Sequence, residues 1–149
     1  MKLPENPGPG LVLCYAYLWK HEFDAGSREG RKDRPAVVVL ARRDLGPSQV
    51  LYVAPVSHSP PAATHEAVEI PIAVKRHLGL DDLPSFISAT EMNVFVWPGP
   101  DLRPIRRLSS GSGDTAACHW GYLPTGLFRS LKRAIAYNRG LGAAGIIKR

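Results

Sequence analysis

Apolar positions set the first outline of the fold. LVLCYAYLWK (11–20) is apolar and aromatic throughout, which predicts a largely buried strand. Periodicity is lost over HEFDAGSREGRKD (21–33), where two glycines and dense charge predict a solvent-facing loop. RPAVVVLAR (34–42) predicts a second strand, with its proline near the start, where no ladder hydrogen bond need be donated. After the turn DLGPS, QVLYVAPVSH (49–58) predicts a third strand, and beyond the proline-rich SPPAATH comes a short fourth, EAVEIPI. In AVKRHLGL the spacing of Val74, His77 and Leu78 ahead of Gly79 predicts one or two helical turns closed by glycine. SFISATEMNVFVW (85–97) reads as the longest strand, ended by PGP, with DLRPI extending it after a break. RRLSSGSGDTAACHWG (106–121) is small, polar and flexible in composition, and SSGSGD within it is expected to be poorly ordered. After Pro124, Leu127, Phe128, Leu131, Ala134 and Ile135 recur at three- and four-residue steps opposite Arg129, Lys132 and Arg133, which predicts an amphipathic helix.

Five or so short strands, one short helix and a final helix imply a mainly β domain with some α: a small, strongly bent antiparallel sheet or open barrel with a helix against it. No internal repeat or boundary is visible, so residues 1–149 are expected to form one domain. A chain of 149 residues buries about two thirds of its unfolded surface and needs no staples. The 14 prolines and 14 glycines agree with many turns. Cys14 and Cys118 show no metal or redox spacing, and buried free thiols are expected. The net charge of +6 favours a polyanionic partner such as nucleic acid, with a solvated basic surface as the alternative. Nothing resembles a leader or a bilayer span, so a cytoplasmic protein without membrane association is expected.

No Walker loop, GxGxxG, HExxH, GxSxG or paired Cys/His spacing occurs, so neither metal nor cofactor is expected. Strand ends carry the remaining chemistry. Arg34 opens the second strand, where its planar donor fork could grip a phosphate or simply pair with Asp33 or another carboxylate. Ser57 closes the third strand, able either to serve a phosphoryl oxygen or to satisfy a turn backbone. His58 beside it is either a titrating partner or an exposed loop residue, and both can face one site only if the strand ends between them. Glu91 either faces solvent or pairs with a cation such as Arg34, and in the second case could act as a general base. Trp19, Phe95 and Trp97 are stacking planes for bases or members of the core.

Taken in order, PGLVLCYAYLW, GRKDRPAVVVL, VLYVAPVSH and SATEMNVFVWPGPDLRPI resemble the PemK/MazF family of toxin–antitoxin growth inhibitors, mainly a subgroup with a long first loop. The agreement covers roughly residues 8–105, and the final amphipathic helix agrees in kind. The resemblance implies a small SH3-like barrel, a homodimer and a metal-independent endoribonuclease cutting single-stranded RNA, restrained by an antitoxin protein. It matches Arg34 and Ser57 to the family's catalytic positions and sets Glu91 where some members carry an acid that could serve as base. Arg28, Arg31 and Lys32 of the charged first loop, with His58, are expected to contact the RNA. The chain departs from the pattern at Ala89, where some relatives carry an arginine two residues before the acid, and in the 21–33 and 106–121 segments. Two other readings keep the barrel: a CcdB-like protein-binding growth inhibitor acting through the tail GAAGIIKR, and an RNA-binding module without catalysis.

Overall fold

A computed structural model describes residues 1–43, 47–105, 116–142 and 145–149. Its centre is built from β1 (Leu11–Tyr15), β2 (Arg34–Arg42) and β3 (Val50–Ser57), paired antiparallel with β2 in the middle. Alternate side chains of these strands enter two different cores. Val12, Val37, Ala54 and Val56 enter one, while Leu11, Leu13, Ala36, Val38, Leu51 and Val53 enter the other. A sheet buried on both faces has no place for alternating polar residues, which is why these segments read as continuous apolar runs.

The first core is covered by two helices. α2 (Ile72–Leu78) follows Pro71 and stops at Gly79, whose φ of +82° is the left-handed conformation that glycine adopts without a Cβ penalty. The Gly79 and Leu80 amides then cap carbonyls of Lys75 and Arg76. α3 (Thr125–Gly140) places Leu131 and Ile135 in the same core, as its spacing predicts. In the second core the Phe95 ring stacks on Tyr15 at 4.8 Å between centroids, and Leu102 packs beside them. Cys14 and Cys118 are free and buried, and burial, reinforced by Asp33, pushes the Cys14 thiol up to about 11.

Several segments differ from their sequence reading. The first strand ends at Tyr15, and the supposed loop opens with α1 (Lys20–Asp24), in which Glu22 is buried and accepts the Trp19 amide. The fourth strand shrinks to β4 (Ala67–Glu69) because Pro71 starts α2. The long strand splits into β5 (Phe86–Ser88) and β6 (Glu91–Val96). Both pair with β3, but in registers three residues apart, so the chain must step at Ala89–Thr90. β7 (His119–Tyr122) adds to β1 from within the supposedly flexible 106–121 segment. The SSGSGD expectation lies outside the described residues. β8 (Gly145–Lys148), unforeseen as a strand, pairs parallel with β6.

Among the described residues the outcome is a mainly antiparallel eight-stranded sheet with three α-helices, ordered β4-β5-β3-β2-β1-β7, with β6 bridging β3 and β8. Among the described residues the sheet does not close on itself. No described helix is long and apolar enough to cross a membrane.

Candidate functional site

The start of β2, the end of β3 and the start of β6 meet at one end of the strands. With Trp19, His21, Glu22 and residues 31–33 they line a cleft of about 880 Å³. Of the seven residues singled out by sequence, Arg34, Ser57, Glu91, Arg31, Lys32 and His58 all line it. Arg28 does not: its guanidinium lies 4.9 Å from the centroid of the Phe23 ring and donates to the Ser27 carbonyl.

Arg34 is half-buried. The pairing of Ala36 with Pro55, continued two residues, sets it level with Ser57 on the neighbouring strand. Neither Asp33 nor Glu91 is its partner. Asp33 lies 3.6 Å from Arg103, and the Arg34 guanidinium sits over the Trp19 ring at 5.1 Å. Its Nε is buried with no hydrogen-bond partner. Burial lowers its pKa, opposed by the charge of nearby Glu22, and a guanidinium stays protonated at any working pH. A desolvated cation with an unused donor is poised for an anion that supplies the missing acceptor.

Glu91 opens β6 and accepts two hydrogen bonds on Oε1, from the Tyr17 hydroxyl at 3.0 Å and the Lys20 amide at 2.9 Å. Burial still raises its pKa above the ordinary glutamate range, because desolvation outweighs those two donors. The wall bearing Tyr17 and Trp19 is held by Asn93, fully buried, whose side chain takes the Leu18 amide at 2.9 Å and donates to the Leu18 carbonyl at 2.8 Å. Arg149 supports the same wall through Asp101 (3.1 Å), the Ala16 carbonyl (2.9 Å) and Asn93 Oδ1 (3.2 Å).

The charged stretch before β2 packs against the backbone that follows β1. A Cβ on Gly30 would stand 2.4 Å from the Tyr17 carbonyl oxygen and 2.6 Å from that of Ala16, so only glycine lets the chain pass there. Beyond it, Arg31 pairs with Glu22 at 3.2 Å, while Lys32 faces the cleft.

β3 ends at Ser57, which allows Ser57 and His58 to face the same cleft. The Ser57 hydroxyl accepts the Ser59 amide at 3.1 Å, the turn-satisfying role open to a strand-end serine. His58 Nε2 lies 2.8 Å from Asp81 Oδ2, and Asp81 Oδ1 takes the ammonium of Lys75 at 2.5 Å. Lys75 is 1% exposed and also donates to Ser85 Oγ and the Leu83 carbonyl. Burial alone would raise the Asp81 carboxyl, but the bonds from Lys75 and His58 outweigh it and hold the group below its usual range. An ionised carboxylate only accepts, so Nε2 carries the proton in the contact with His58.

Tyr17, Lys75, Asp81 and Asn93 were not found by sequence reasoning. Lys75 left a weak signal, a lysine three residues from Leu78 on the helix face that enters the core. Asn93 and Tyr17 read as ordinary strand positions, since their partners are about 75 residues away. Of the aromatic candidates, Phe95 is core, Trp97 packs against it at 6.5 Å, and Trp19 alone lines the cleft. Among the described residues no group of three or more His, Cys, Asp or Glu side chains is placed to hold a metal ion.

No protein-family model matches the chain, and no curated protein matches it.

Proposed function

We propose that the cleft binds and cleaves the backbone of single-stranded RNA without a metal, as the resemblance to PemK/MazF toxins implies. The observation that carries this reading is Arg34: a desolvated guanidinium with one unused donor, sharing a cleft with a carboxyl shifted toward the proton-accepting range of a working base. In this mechanism the ribose 2′-hydroxyl gives its proton to Glu91 and its oxygen attacks the adjacent phosphorus. Arg34 neutralises the extra charge of the phosphorane. The bond to the 5′-oxygen breaks as that oxygen takes a proton, for which Ser57 Oγ and His58 are the donors in the cleft. The products are a 2′,3′-cyclic phosphate and a 5′-hydroxyl, and no water is consumed.

The wider assignment goes with the same reading: an SH3-like barrel that dimerises, acts in the cytoplasm, and is silenced when an antitoxin segment occupies the groove. The position where some relatives carry a second arginine holds Ala89, 2% exposed and part of the helix-covered core. A second cation for the phosphate is therefore Lys32 or Arg31 on the cleft rim. The CcdB-like alternative relies on a tail free to reach a partner, but GIIK is paired in the sheet as β8 and Ile147 is buried.

Incubation of the purified protein with mixed-sequence single-stranded RNA in EDTA, followed by end mapping, tests the reading. Discrete cuts with cyclic-phosphate or phosphate 3′ ends, lost in Arg34→Ala, are expected. Intact RNA with retarded mobility would leave only the non-catalytic binding module.

A further inference from the structure

The positive charge is unevenly spread along the sequence. Residues 1–101 hold ten Lys and Arg against twelve Asp and Glu, a net charge of −2. Residues 102–149 hold nine against one, a net charge of +8. The whole basic excess therefore belongs to the last third of the chain, and α3 contains no carboxylate at all. Its solvent face presents Arg129, Lys132, Arg133 and Arg139, all exposed. Among the described residues no carboxylate pairs with any of them, in contrast with Arg31, Arg103 and Arg149 elsewhere.

One stripe of this face has more than charge. Arg129, Arg133 and Tyr137 follow one another at four-residue spacing, each step about 6 Å along the helix axis. Tyr137 is 55% exposed, and its ring meets the exposed His65 ring edge-on at 5.3 Å between centroids. Asn138, fully buried beside it, donates to the His65 carbonyl at 2.8 Å and fixes that arrangement. Glu66, the next residue after His65, lines the cleft. The stripe thus ends at the rim of the candidate site.

We propose that the outer face of α3 is a second contact for single-stranded nucleic acid, with Arg129 and Arg133 on phosphates and Tyr137 against a base, holding the strand outside the cleft. This rests on the RNA reading of the cleft and adds to it a binding track away from the reacting atoms. Charge and shape favour this occupant over others. A second copy docked on the same face would set arginines against arginines. A lipid surface would call for large aliphatic side chains on the face, and none larger than Ala136 is exposed between Thr125 and Gly140. A row of cations ending in an exposed ring is what a strand of phosphates and bases matches.

The test uses the full chain and fluorescent strands with 2′-deoxy substitution, so that binding is read without cleavage. A strand of about 5 nucleotides fills the cleft alone, and one of about 20 reaches the helix as well. Loss of two phosphate contacts in the Arg129→Gln/Arg133→Gln variant should reduce the slope of log affinity against log salt for the long strand by about 1.4. The long strand should also lose at least fivefold more affinity than the short one. Tyr137→Ala should weaken the long strand with the salt slope unchanged. A slope that the double arginine variant does not move, or equal losses for both lengths, overturns the proposal. So does binding of polyglutamate or phosphatidylserine vesicles that depends on these arginines while RNA binding does not. Failure of the cleft reading looks different: uncleaved RNA that still binds with the helix-dependent slope removes the nuclease and keeps the track.

Discussion

The cleft and the outer face of α3 both carry arginines, and the two sets are treated in opposite ways. Arg34 is half-buried and laid on Trp19, with its Nε out of solvent, and Arg31 is tied to Glu22. Arg129 and Arg133 stand in solvent without a carboxylate partner among the described residues. A charge that must act on one atom needs a fixed position and a desolvated setting, because both strengthen its field at that atom. A charge that only attracts a polyanion works from solvent and depends on number rather than placement. The contrast predicts that changes in the cleft alter turnover and changes on the helix alter affinity and its salt dependence.

The largest effect should come from Arg34→Ala. Loss of the stabilising guanidinium is expected to lower kcat by about 10³-fold, with affinity for a long strand nearly kept, as measured by cleavage and anisotropy side by side. Equal loss of binding and turnover would erase the distinction between the two regions. Glu91→Gln should lower kcat by about 10²-fold and change the pH profile. Because the Glu91 carboxyl is held above its ordinary range, wild-type kcat/KM should rise with pH through that raised value, and the variant should lack this limb. For stability the sign is opposite. The folded protein keeps the proton longer than the unfolded chain, so this group's contribution falls as pH rises from the ordinary glutamate range through the raised value.

Gly30→Ala sharpens the comparison from the scaffold side. Overpacking against the Tyr17 and Ala16 carbonyls should cost about 1–3 kcal/mol in a denaturation experiment and displace Arg31 to Arg34, so turnover suffers while the α3 face does not. The smallest effect on turnover is expected for Asp81→Asn, which acts on stability instead. Solvent screens its half-exposed carboxyl, but the change leaves the buried Lys75 ammonium with only Ser85 Oγ and the Leu83 carbonyl, a loss of about 1–3 kcal/mol. The Asp81 pKa is depressed in the folded state, so its stabilising contribution is complete above the ordinary aspartate range and is lost as pH falls through the lower folded value. A pH titration of stability should therefore show wild type and variant converging only in strong acid.

Much of this was legible in the chain, and the reasons are local. β2, β3 and α3 announce themselves because an apolar run or a three-and-four spacing is a property of neighbouring residues. The capping of α2 by Gly79 is of the same kind. Ser57 and His58 could share a cleft only if β3 ended between them, and the prolines just beyond pointed to that end. What stayed hidden depends on distant partners. The split of 85–97 follows from two registers against one strand, and β8 exists because β6 has an open edge for it. The α1 segment is charged enough to read as loop, yet buried Glu22 anchors it.

The sequence by itself determined the two-sided burial of the central strands, the amphipathic closing helix, the free thiols, and the concentration of positive charge in the last 48 residues. These follow from composition and period, which need no partner. Only the tertiary structure decided that Arg34 faces Trp19 rather than a carboxylate, that Glu91 is held by Tyr17 and Lys20, and that Lys75 is a buried ammonium serving Asp81. Each of those depends on which strands become neighbours, and desolvation, which gives the groups their altered acidity, exists only once the chain has closed around them.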